Sequence, residues 1–220
     1  MELSVIAGDI TAQSVNAIVV NLFEGVESPG GGTSAVDQAI GGAISSLIAD
    51  GEIKGGLGEV TVIHTMGDAF SGFAPDRVVV AGLGSAESFD LDGARSVSAI
   101  VARRLRRLNV ESAATIVHGA GIGGLDPEAA AEALAEGAIL GLYRFDKYRT
   151  SSKPKCDETS PVSLTLVEND TSKVSSLESG ISRGQSYANA SIAARDMVSE
   201  PANVLHPTKL AEIATEIASA

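Results

Sequence analysis

The chain has 220 residues, enough for one large domain or for a domain and part of a second. Its 44% hydrophobic and 20% charged content is that of an ordinary globular protein, and a single cysteine, Cys156, excludes a disulfide framework and points to a reducing cytoplasm. A net charge of −12 argues against binding nucleic acid or an anionic membrane, because phosphate recognition needs clustered Lys and Arg.

The opening stretch "MELSVIAGDI" lacks a basic region and a long apolar run, so it does not read as a signal peptide, and no stretch approaches the length of a membrane span. Strand-like runs are predicted at residues 3–7, 17–22, 60–64, 78–83, 114–118 and 162–167. A helix is predicted over 33–49, with Val36, Ile40 and Ile44 at helical spacing. A second covers 90–108, with Asp90 as N-cap. Its Arg103, Arg104, Arg106 and Arg107 read as the solvated face and C-terminal end of a helix, where cations suit the dipole. Asp126-Pro127-Glu128 opens a third: cap, Pro at the first helical position and acid in the first turn. The polar stretch 149–161 reads as an exposed loop, and 171–198 as a long helix with Gly180 and Gly184 as soft points. Strands alternating with helices imply a three-layer α/β/α domain around a mixed sheet, followed by a long linker helix.

Catalytic constellations are hard to find. His64, His118 and His206 are far apart and lack metal-ligand spacing, and each of the first two ends a predicted strand, where a hydrogen-bonded structural role is expected. No Ser sits in a GxSxG motif. Two glycine-rich loops that run into helices are more informative: "GVESPGGGTSAVDQAIGGAI" from Gly25 and "VHGAGIGGLDPEAAAEAL" from Val117. Glycines before a helix N-terminus let backbone N–H groups approach an anion, although they equally serve tight turns between packed elements.

In order, "GDIT" (from Gly8), "NAIVVN" (from Asn16), "GGG" (Gly30, Gly31, Gly32) and "GAGIGG" (from Gly119) resemble a macro domain, the ADP-ribose-binding module. That resemblance implies Asp9 on the adenine, with Gly30, Gly31, Gly32, Gly121 and Gly123 around the phosphates. Where macro domains carry "VNAAN", however, this chain reads "VVNLFEG", with Phe23 or Glu24 at the second Asn.

A second resemblance covers nearly the whole chain. "AIVVNLFEGVESPGGGTSAVDQAIGGAISSLIADGEIKGGLGE", "VVVAGLG", "EGAILGLYRFDKYRT" and "ARDMVSEPANVLHPTKLAEIA" resemble the N-terminal domain of the leucyl aminopeptidase (cytosol aminopeptidase) family. The resemblance implies a macro-like domain over residues 1–170, a linker helix over 171–199 and the truncated start of a catalytic domain over 200–220. It also implies a family enzyme that releases N-terminal amino acids with two divalent metals, Zn or Mn, and assembles as a hexamer. The family's metal-binding stretches, resembling "KGITFDSGG" and "NTDAEGR", do not occur here, so no catalytic or metal residue is assigned and the chain is expected to be inactive alone. The other reading is a free-standing macro-like module that binds ADP-ribose or a related nucleotide.

Overall fold

In the computed structural model, which describes residues 1–65, 72–121, 123–150 and 163–219, the apolar runs become the strands of one sheet. These are β1 (Glu2–Ala7), β2 (Ala17–Leu22), β3 (Val60–His64), β4 (Arg77–Gly82), β5 (Ser112–Thr115) and β6 (Ser163–Glu168). Their order is β1-β6-β5-β2-β4-β3, and all neighbours run parallel except β3 against β4. Expected residues 151–161 of the exposed loop, with Cys156, lie outside the described residues, as do Val162 and Ile122.

The central strands lack polar alternation because both faces are covered. Ala17 and Val19 of β2 and Val79 and Ala81 of β4 face one core cluster; Ile18, Val20, Leu22, Val78 and Val80 face the other. Helices α1 (Gly31–Ala39) and α2 (Ala43–Ala49) close the second cluster, through Val36, Ile40 and Ile44. Helices α3 (Leu91–Arg107), α4 (Pro127–Leu142) and α5 (Val174–Ser199) close the first. The expected three layers are therefore present, and α6 (Pro207–Ser219) follows them with no buried residue.

The sequence cues for helix starts hold. Asp90 accepts from Gly93 N at 2.8 Å, and Asp126 accepts from Ala129 N at 2.9 Å with Pro127 in the first turn. The helix expected over 33–49 is instead two helices. Gly41 and Gly42 take φ of 69° and 81°, a left-handed break that no ordinary residue would hold cheaply. The buried Asp37 of α1 then caps α2, accepting from Ile44 N (2.7 Å), Ser45 N (3.2 Å) and Ser45 Oγ (2.5 Å). The strand expected over 114–118 ends at Thr115, and residues 171–173 form a 3-10 turn ahead of α5.

Gly180 and Gly184 are not soft points but close contacts. A Cβ on either would lie 2.2 Å from Glu128 O or 2.3 Å from Glu132 O, so α5 presses its backbone against α4. On the other side of α4, Gly137 and Gly141 make the same approach to Arg95 and Ala99 of α3. The arginines near the end of α3 are less solvated than expected except for the exposed Arg107: Arg103, Arg104 and Arg106 are half-buried, and Arg106 Nη1 donates to Leu142 O at 3.2 Å.

Candidate functional site

The parallel strands all finish at one edge of the sheet, where the chain turns into loops and helix N-termini; in open α/β sheets this is where crevices form. A cavity of about 290 Å³ opens there. Gly8 follows β1, Asn21 to Phe23 end β2, Gly30 to Thr33 start α1, Ile116, Val117 and Gly119 to Gly121 follow β5, Val167 and Glu168 end β6, and Asn169 and Lys173 come after it.

Of the six residues singled out in the sequence, Gly30, Gly31, Gly32 and Gly121 line this cleft. Gly31 has φ of 54°, and a Cβ on Gly32 would meet Ile116 Cγ2 at 2.9 Å, so the loop must be glycine to pass so close to the segment after β5. No side chain caps α1 at Gly30. Gly121 faces open space, with nothing within 4 Å of a Cβ there. Gly123 sits behind its loop, where a Cβ would lie 2.8 Å from Gly119 O and 2.9 Å from Phe23 Cζ. Asp9 is exposed and lies outside the lining. Its Oδ1 accepts from Thr11 N and Thr11 Oγ1, both at 2.8 Å, and so caps the 3-10 turn at Ile10–Ala12.

Asn21 and Thr33 of the lining belong, with the buried His118 behind it, to a unit that the sequence did not single out. Asn21 Nδ2 donates to His118 Nδ1 at 3.1 Å, which places the imidazole proton on Nε2. Thr33 Oγ1 donates to Asn21 O at 2.8 Å, tying α1 to the end of β2. His118 is buried, and burial pushes its pKa from 6.5 down to about 4, so the ring is neutral at pH 7. The expectation of a structural histidine holds, just beyond β5 rather than within it. Phe23, one of the two residues that stand where the macro-domain resemblance would put the second Asn, is buried edge-on to Phe89, with ring centroids 5.4 Å apart. The only local signal for Asn21 is that it is the polar residue in an otherwise apolar strand. Its partner lies 97 residues away. Glu168 and Lys173 give the rim one charge of each sign.

Among the described residues, no group of three or more His, Cys, Asp and Glu side chains converges to hold a metal ion. The described residues therefore offer no fitting set for the two metals that the aminopeptidase resemblance implies. Among the described residues, no helix is long and apolar enough to cross a membrane.

A mixed sheet between helices, with a glycine-lined cleft at the carboxyl ends of its parallel strands, defines a macro-domain-like fold. The Oceanobacillus iheyensis macrodomain with MES bound matches it with a TM-score of 0.58, at 18% identity, over 86% of this chain and 93% of that one. A tomato leucine aminopeptidase mutant matches with a TM-score of 0.77, at 21% identity, over the whole of this chain and 42% of that one.

In sequence, the family model described as "Cytosol aminopeptidase family, N-terminal domain" matches residues 19–152. A probable cytosol aminopeptidase of Alkaliphilus metalliredigens is 34% identical over 217 residues, 99% of this chain and 42% of the relative. The chain belongs to the cytosol aminopeptidase family, as its N-terminal domain. It spans about two fifths of the length of the curated relatives it matches.

Proposed function

We propose that the chain is the non-catalytic N-terminal part of a leucyl-aminopeptidase-like metallopeptidase. In this reading residues 1–170 are the macro-like unit, 171–199 the linker helix and 200–220 the beginning of a catalytic domain. The whole protein removes N-terminal amino acids from peptides in the cytoplasm, using two Zn or Mn ions bound by the part that follows, and assembles as a hexamer. This domain contributes packing surface and shapes access to the site.

One observation carries the reading: the similarity runs from end to end of this chain yet accounts for 42% of the relative. The character of α6 supports it. Leu210, Ile213 and Ile217 recur at helical spacing, and Leu210 and Ile217 are exposed, so an apolar stripe has no cover within the described residues.

The test is the intact mass of the native protein from its source, together with hydrolysis of a leucine anilide. A chain of 22.3 kDa that makes up 42% of the whole implies a protein of about 53 kDa. That protein should hydrolyse the anilide with Mn²⁺ or Zn²⁺, while the 220-residue chain does not. A native mass of 22.3 kDa would overturn the reading, and so would chelator-sensitive hydrolysis by the repurified 220-residue chain.

A further inference from the structure

The segment "YRFDKYRT" (from Tyr143) carries part of the family resemblance, yet it lies away from the cleft and contributes little to the core. Its side chains converge on the last turn of α5. Tyr143 Oη donates to Asp196 Oδ1 at 2.7 Å, and the Arg195 guanidinium lies 5.7 Å from the Tyr143 ring centroid. Lys147 Nζ and Tyr148 Oη both donate to the Glu200 carboxylate. The loop is organised to present them. Asp146 is bridged by Arg144 and Arg149, each at 3.0 Å, and the Phe145 and Tyr148 rings stand 5.9 Å apart.

Glu200 occupies the C-cap of α5, its N–H donating to Asp196 O at 3.0 Å, and Pro201 turns the chain away immediately after it. Its side chain is only 12% exposed. Beyond it, the hydrogen bonds of residues 201–219 among the described residues all stay within that segment, such as Val204 N to Pro201 O and Lys209 Nζ to Glu212. No residue of α6 is buried, so among the described residues neither a core nor a polar tie beyond Glu200 fixes α6 to the sheet domain.

We propose that Lys147, Tyr148 and Glu200 form a latch that sets the direction in which the chain leaves α5. Tyr143 and Asp196 brace the turn before it, so the orientation of α6 is held at one point by three side chains. Exposed ion pairs contribute little to global stability. The latch therefore acts locally, on the exit angle and on the order of the last turn of α5, while the glycine contacts between α4 and α5 hold the rest of that helix. The proposal concerns this chain by itself and does not depend on what packs against α6.

Hydrogen exchange on the 220-residue chain tests it, comparing wild type with Glu200→Ala and Lys147→Met. Amides of residues 195–206 should exchange roughly tenfold faster in both variants, the change expected when a charge-assisted hydrogen bond is lost. Amides of residues 174–188 should keep their wild-type rates. A spin-label pair at Ser182 and Ser219, in a Cys156→Ser background, should give a single distance in wild type and a broad distribution in Glu200→Ala. Unchanged rates and distances would overturn the latch. Acceleration of all α5 amides together would also overturn it, because the contact would then serve general stability rather than the exit of the chain.

Discussion

His118 makes the domain sensitive to mild acid in a way that can be isolated. The native fold keeps the buried imidazole neutral down to about pH 4, whereas the unfolded chain takes up a proton near 6.5. Between these values the unfolded state binds more protons, so stability falls as pH falls. The contribution of His118 is complete above pH 6.5 and is lost progressively down to about 4. At about 1.4 kcal/mol per pH unit the loss reaches about 3 kcal/mol, a substantial part of the usual 5–15 kcal/mol of a folded domain. Carboxylates held low by partners act in a lower window. Ser172 holds Asp170 below its usual value, Lys147 holds Glu200 and Lys209 holds Glu212, and each such contribution is lost only as pH falls through the carboxylate range. Urea unfolding at pH 7 and at about pH 4.5 therefore reports mainly on the histidine. In His118→Asn the amide oxygen replaces Nδ1 as acceptor for Asn21. The lost ring volume lowers stability equally at both pH values. Wild type should lose about 2–3 kcal/mol more than the variant over this interval. Equal losses in the two proteins would show that the ring does not titrate as argued.

Gly180→Ala drives a methyl to 2.2 Å from Glu128 O and should cost about 1–3 kcal/mol, a Tm lower by several degrees, while Gly121→Ala, facing open space, should melt within about a degree of wild type. Asp37→Ala removes three bonds at the start of α2 and should cost about 2 kcal/mol in urea unfolding, with faster hydrogen exchange across residues 43–49. Calorimetry with ADP-ribose should give no saturable heat, given Phe23 at the cleft, Glu168 on its rim and a net charge of −12. Saturable binding abolished by Asp9→Ala would reverse that expectation and revive the free-standing module.

What the sequence made legible was whatever depends on near neighbours. The apolar runs Ala17–Val20 of β2 and Val78–Ala81 of β4 announce strands buried on both faces, and Asp90 and Asp126 announce helix starts, because each signal is contained within a few residues. The break between α1 and α2 was partly written there as well, in Gly41-Gly42. The reason the chain uses it, the Asp37 carboxylate reaching over to Ile44 and Ser45, is a tertiary arrangement that leaves apolar spacing unchanged. Gly180 and Gly184 show the opposite failure. Helix propensity reads glycine as a weakness, and only the position of Glu128 and Glu132 on the neighbouring helix turns it into a fit. At the cleft the glycines could be read directly, since they belong to loops ahead of helices. The Asn21–His118 pair could not, because its two members meet only once β2 and β5 lie side by side.

The place of β1 in the sheet has a consequence for how the domain is made. Its register partner for Glu2 is Ser163, and among the described residues it pairs with no strand other than β6. At translation speeds of about 5–20 residues per second, the first strand leaves the ribosome roughly 10–30 s before the one it needs. In the second half of that interval β2, β4 and β3 can already assemble, while Leu3, Val5 and the unpaired backbone of β1 stay open to any strand that passes. β1 is thus made well before it is protected, and nascent chains of this domain should be most dependent on holding chaperones just before residue 168 emerges.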